Sequence, residues 1–360
     1  MTPLDPPVDG PERLAWADAA RGLAVLAVVV FHVGLWHFLP HAPELWSPAA
    51  RVWSKVNGVL AGVRIPLLLT ISGLVLSRRV RRGFSDRSNI VRPLANYYLY
   101  VVWLIIYTAF FAVVSYPALP HRVTGVGDFV LQLIVPDTTL WYVFALAVYV
   151  PVFSALRAVP PWLVLAVLAA LTIGVRATDA VEPQAIKIAE VALFFAIGVY
   201  GATPIRHLAA SASVVRAGAL VVIAAVVTLG GRFMTGEVDG TILFVVRGLT
   251  FMVASVVVIA IVVRWRAAEH LLSAVGRQTL PIYVMHPLLI CALIAAVHQW
   301  SGFEDFLGRP LVSVLYPVVV TVGIAVLSLT LHRLAMHAGL GLLFALPAGI
   351  RSRIESRLSR

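Results

Sequence analysis

The sequence predicts an all-α, polytopic transmembrane helix bundle of about ten spans, with its N-terminus and C-terminus on the cytoplasmic side. Three observations carry that prediction. Of 360 residues, 60% are hydrophobic and only 12% charged, with a mean hydropathy of +0.93, more apolar surface than one soluble core can hide. Apolar stretches of roughly twenty residues recur along the chain, each long enough to cross the hydrocarbon layer as a helix. The basic residues gather between alternate stretches, as the positive-inside rule requires.

In chain order, the spans are expected near 19–38, 57–77, 94–114, 139–157, 161–176, 188–204, 214–230, 242–263, 279–298 and 311–332. Residues 1–13 are proline-rich, without an apolar run or a basic cluster, and read as a disordered cytoplasmic lead, not a signal peptide. Residues 14–346 form one membrane domain, and 347–360 a basic cytoplasmic tail. The outer segments 41–56 and 115–138 carry prolines and aromatics that suit partly ordered lids. Inner loops are marked by the arginine run from Arg78 to Arg92 and by Arg264, Arg266 and Arg277. This sorting explains a net charge of +11 and a pI near 10.4 better than a polyanionic partner does, so no nucleic acid is expected. The single cysteine, Cys291, falls inside a span and has no intramolecular disulfide partner.

The first span is the most informative. Asp18, Arg21, His32 and Trp36 punctuate an otherwise apolar helix. Arg21 and His32 are separated by about 1100° of helical rotation, three turns plus about 20°, and therefore share one face about 16 Å apart. Titratable groups on a spanning helix are expensive in lipid, so the stripe should face the bundle interior or a wet cavity. A histidine there suits a base, a proton relay, a packing hydrogen bond or a metal ligand; no second ligand at metal-binding spacing accompanies it.

Four segments together resemble a known family. Asp18-x-x-Arg21-Gly22 followed by His32 is similar to the opening motif of the membrane acyltransferase 3 family, including its sugar O-acetylase-like branch. Pro66 leading into Ser72-Gly73, Leu140-Trp141-Tyr142 with Leu146, and Gly276-Arg277 through Thr279-Leu280, Tyr283 and His286 resemble three later motifs in the same order. Arg64 stands where many sugar O-acetylase relatives have histidine, and Pro93 comes earlier than the family's proline.

The resemblance implies transfer of an acyl group, commonly acetyl, from acyl-CoA to a hydroxyl of a glycan, lipid-linked sugar or small molecule. His32 is then the general base, with Asp18 and Arg21 completing the catalytic set at the cytoplasmic mouth. An ion pair tying helices together is the plainer role for Asp18 and Arg21. Arg78, Arg79, Arg82 and Arg92, with Ser72, are candidates for the polyanionic donor, since arginine forks suit phosphate. A topology signal or a lipid contact accounts for the same arginines, and helix packing for Ser72. Arg64, Trp36, Trp141, Tyr283 and His286 are candidates for the acceptor; snorkelling of Arg64 and an aromatic-belt role for Trp141 are the plainer readings.

No bound cofactor or metal is expected; acetyl-CoA serves as co-substrate, and membrane lipids surround the chain. The high arginine and alanine content suggests a bacterial plasma membrane. A covalent acyl-enzyme is disfavoured because no Ser-His-Asp or Cys-His arrangement is evident. A transporter of a glycan precursor or small solute, using the stripe as its path, is the rival from another class, and a non-catalytic scaffold a third.

Overall fold

The computed structural model describes residues 14–41, 48–114, 116, 118–177, 184–231 and 237–358, so the expected lead at 1–13 lies outside the described residues. Among these residues all regular structure is helical. Helix α1 runs over Ala15–His41, with its turns from Val33 to Phe38 wound wide as a π-helix. There follow α2 (Pro48–Arg82), α3 (Ser88–Val113), a short α4 (Val126–Gln132), α5 (Trp141–Ala155), α6 (Pro161–Ala177) and α7 (Gln184–Tyr200). The rest of the chain forms α8 (Ala202–Ala210), α9 (Val214–Gly230), α10 (Glu237–Val262), α11 (Arg266–Arg277), α12 (Thr279–Val297), α13 (Phe303–Gly308), α14 (Pro310–His337) and α15 (Ala348–Leu358).

Seven of these, α1, α2, α3, α5, α10, α12 and α14, are long and apolar enough to cross a membrane. An eighth span results if α7 and α8 are counted as one, across a 71° bend. Apolar helices α6 and α9, of 17 residues each, occupy the predicted fifth and seventh spans; α5 reaches spanning length only with the turn that extends it to Ala158. The chain is a multi-pass membrane protein.

Four sequence expectations need correction. The sixth span was drawn through 188–204, yet the helix breaks at Gly201, where α8 turns away. Much of the outer segment 41–56 is helix, because α2 begins at Pro48, a residue whose missing N–H is no loss in a first turn. The arginine run is mostly helix as well: α2 continues to Arg82, and only residues 83–87 separate it from α3. Gly83, at φ +66°, makes that corner, and the Asn89 side chain closes it by donating to the carbonyls of Arg79 (2.9 Å) and Gly83 (2.7 Å). Finally, the loop bearing Arg266 and Arg277 is the amphipathic helix α11.

Two glycine crossings fix the interior. Gly73 of α2 meets Gly198 of α7 so closely that a Cβ on either would overlap a backbone carbonyl of the other helix, Phe195 or Thr70. Gly22 of α1 and Gly276 of α11 are in the same position, against the carbonyls of Leu272 and Asp18. Small residues let spanning helices approach until backbone dispersion contacts replace side-chain ones. The buried face of α1, with Ala17, Ala19, Ala20, Ala24 and Ala27, serves the same end. At the periphery, α9 exposes Val221, Val222 and Val226, and α14 exposes Val318, Val319 and Val322, as lipid-facing surfaces should.

Candidate active site

The glycine crossing of α1 on α11 brings the first and the last of the four motifs together. Just beyond it, α12 lies alongside α1, and their histidines meet. His32 Nδ1 is 3.1 Å from His286 Nε2, with the two rings stacked at a centroid distance of 5.2 Å. Trp36, one turn further along α1, also stacks on His32, at 4.1 Å. His286 is fully buried, and its Nδ1 is 3.1 Å from the Ile282 carbonyl; His32 is half-buried.

These contacts decide the protonation pattern of the neutral rings. A carbonyl can only accept, so His286 Nδ1 carries the proton and its Nε2 accepts. His32 Nδ1 must then donate to His286. The lone pair of His32 is left on Nε2.

On the α1 N-terminal side of this pair lies a cavity of about 910 Å³. Its inner end is formed by Ser72, Tyr142, Tyr283, Thr279 and Arg21, and its mouth by Arg87, Arg92, Arg351 and Glu355. Two tyrosines separate the cavity from the histidines. Their rings meet edge to face at 5.3 Å, and Tyr283 is 5.9 Å from the His286 ring. Both are pinned. Ser72 Oγ spends its proton on the Leu68 carbonyl (2.7 Å), so Tyr142 donates to Ser72 Oγ (2.7 Å). Tyr283 donates to the Thr139 carbonyl and accepts from the Tyr142 backbone N–H at 3.2 Å.

The predicted catalytic trio is therefore split along α1. His32 joins His286, whereas Arg21 pairs with Asp18 at 3.7 Å and donates to Thr279 Oγ1 at 3.3 Å, at the inner wall of the cavity. The donor set divides too. Arg92 and Ser72 line the cavity; Arg78, Arg79 and Arg82 do not. Arg82 is exposed and reaches Asp86 at 3.8 Å, Arg78 is exposed, and Arg79 is half-buried at the corner that Asn89 closes.

The proposed acceptor residues divide as well: Tyr283 lines the cavity, whereas Trp36 and His286 flank His32. Arg64 is only 7% exposed, and its guanidinium lies 3.3 Å above the Phe31 ring, next to His32. Its Nε and Nη1 have no hydrogen-bond partner. Contact with an aromatic face offsets about 0.5–2 kcal/mol, against a burial cost of several kcal/mol for an unpaired ion. Trp141 is buried beneath Lys187, whose Nζ lies 5.5 Å from the ring centroid. His121 stands 5.7 Å from the Trp36 ring.

The arrangement joins a ring nitrogen with a free lone pair, a hydroxyl-lined partition and an arginine-fringed cavity. A family model described as an acyltransferase domain matches residues 14–333. The chain belongs to the membrane acyltransferase 3 family. All four motif segments fall inside that match, and each contributes residues to the cavity or to the histidine pair beside it. No curated protein and no solved structure matches the chain.

Sequence reasoning missed Lys187, His121, Arg87, Arg351 and Glu355. Lys187 is one of two lysines in the chain, at the edge of an apolar run, and that rarity was the available signal. Arg351 and Glu355 gave none, because their helix α15 returns to the cavity from the far end of the sequence.

Proposed function

We propose that this acyltransferase moves an acetyl group from acetyl-CoA to a hydroxyl of a glycan, lipid-linked sugar or small molecule, with His32 as general base. The single observation that supports this reading best is the His32–His286 hydrogen bond, which joins residues 254 apart and directs the free His32 lone pair away from its partner. The donor enters the arginine-fringed cavity from the cytoplasm, and its thioester reaches the tyrosine partition. The acceptor hydroxyl approaches His32 Nε2 from the other side.

As the hydroxyl oxygen attacks the thioester carbon, its proton passes to His32 Nε2 and a C–O bond forms. The C–S bond then breaks, and the departing CoA sulfur takes the proton from the imidazolium. His286, accepting from Nδ1, holds the ring in the required tautomer and shares the developing positive charge. Direct transfer needs no covalent acyl-enzyme. The transporter reading of the same stripe gains nothing from the family match.

Replacing His32 with Ala in nanodisc-embedded protein, and following label from acetyl-CoA into carbohydrate acceptors, tests the role. A positioned base contributes about 10²–10⁴-fold, so kcat should fall by that factor. Unchanged transfer would remove His32 from the mechanism.

A further inference from the structure

The Arg64 guanidinium is a cation placed next to the proposed base, and no described residue of opposite charge meets it. Among the described residues, no carboxylate pairs with Arg64 or acts on it. Its Nε and Nη1 are buried without a partner, and one face is occupied by the Phe31 ring. The neighbouring charges are of the same sign: Lys187 is within electrostatic range of Arg64, and Arg64, Lys187 and His121 all act on His32. Glu190, the described acid that acts on Lys187, is already engaged by Arg176 in an ion pair.

Such a concentration of positive charge in a low-dielectric interior is unfavourable unless an anion joins it. Serving CoA does not explain it. The CoA phosphates have their own arginines at the cavity mouth, beyond the tyrosines. Nor does snorkelling, because a guanidinium that reaches the interface is exposed, and this one is not.

We propose that Arg64 and Lys187 form a binding site for an anionic group, a carboxylate or a phosphate, carried by the acceptor. The inference rests on the acyltransferase reading and adds the substrate class: an acidic sugar or a sugar phosphate, not a neutral glycan. The guanidinium fork takes two oxygens of the anion, a geometry that a carboxylate and a phosphate both offer. Lys187 adds a second, point-like charge over the indole of Trp141. A hydroxyl elsewhere on the same molecule is thereby placed against His32 Nε2.

The test compares three soluble probes that share sugar hydroxyls: glucuronate, glucose 1-phosphate and glucose, each added at constant ionic strength to detergent-purified protein. The readout is the thermal unfolding midpoint. Glucuronate, glucose 1-phosphate or both should raise the midpoint of the wild type, while glucose leaves it unchanged; which anion acts separates carboxylate from phosphate. Arg64→Gln should abolish the shift, and Arg64→Lys should retain part of it. Without ligand, Arg64→Gln should unfold at the same temperature as wild type or higher, since an unpaired buried charge has been removed; Lys187→Gln provides a second variant in which the shift shrinks.

Equal shifts with glucose, no shift with either anion, or a shift that survives Arg64→Gln would overturn the proposal. Transfer is read separately as release of CoA from acetyl-CoA. If the anion shift persists while no CoA is released with any acceptor, the acyltransferase mechanism fails and the anion site stands.

Discussion

In the proposed mechanism His286 acts on the chemistry only through its neighbour. Its Nδ1 is committed to the Ile282 carbonyl and its Nε2 to His32, so both ring nitrogens are spent on fixing the orientation and tautomer of His32. His286→Ala should therefore lower kcat by about ten-fold or more, as loss of an orienting partner does, while KM for acetyl-CoA changes by less than about two-fold, since no donor contact is lost. His286→Gln, which keeps an acceptor, should recover part of the rate. Steady-state kinetics of the three proteins in nanodiscs checks this. Equal loss in the Ala and Gln variants would point to packing instead. At this scale the sequence was legible where chemistry lay on one helix: the common face of Arg21, His32 and Trp36 follows from the helical repeat alone. The pairing of His32 with His286 was not, because no local periodicity links residues so far apart.

The helices were legible through their apolar length, and the failures have a common cause. Hydropathy reports that a stretch belongs in lipid, but not where its helix bends or starts. So Gly201, where α7 gives way to α8, and the early start of α2 at Pro48 passed unread. For α11, the arginines drew attention from a clear amphipathic pattern, in which Leu272, Val275 and Gly276 face inward between polar positions. The two glycine crossings then determine how elements dock. Gly276→Val and Gly198→Val should each sharply reduce the fraction of protein that elutes as a monodisperse peak in detergent, because a side chain there meets backbone that cannot move aside. Gly218→Val and Gly174→Val, at glycines with open space around them, should change the elution profile little. If both pairs behaved alike, close backbone approach would not be what holds α2 on α7 or α1 on α11.

For the molecule as a whole, the arginines divide between those that line the cavity and those that do not. Arg78, Arg79 and Arg82 belong to the same basic run as Arg92, yet only Arg92 lines the cavity, where it is joined by Arg87 and by Arg351 from α15. Arg92→Gln and Arg351→Gln should each raise KM for acetyl-CoA about five- to ten-fold, the value of one charge-assisted phosphate contact. Arg78→Gln should leave KM within about two-fold, because an exposed charge outside the cavity adds little. Initial rates across a range of acetyl-CoA concentrations give the comparison. A rise in KM shared equally by all three would mean that net charge, not position, draws the donor in. The basic run was visible in the sequence, but its division was not, since that depends on which helix end borders the cavity.

One acid sits among these cations. Glu355 holds Arg351 at 2.9 Å, and both side chains are solvated, so the pair separates at a cost of about half a kcal/mol or less. For the polyanionic donor proposed above, arrival would exchange one carboxylate for the donor's own oxygens, and on departure the carboxylate would swing back. Such a doorway would never have to expose a bare charge, and on the proposed mechanism a nucleotide that had given up its acyl group would leave as readily as the next one arrived.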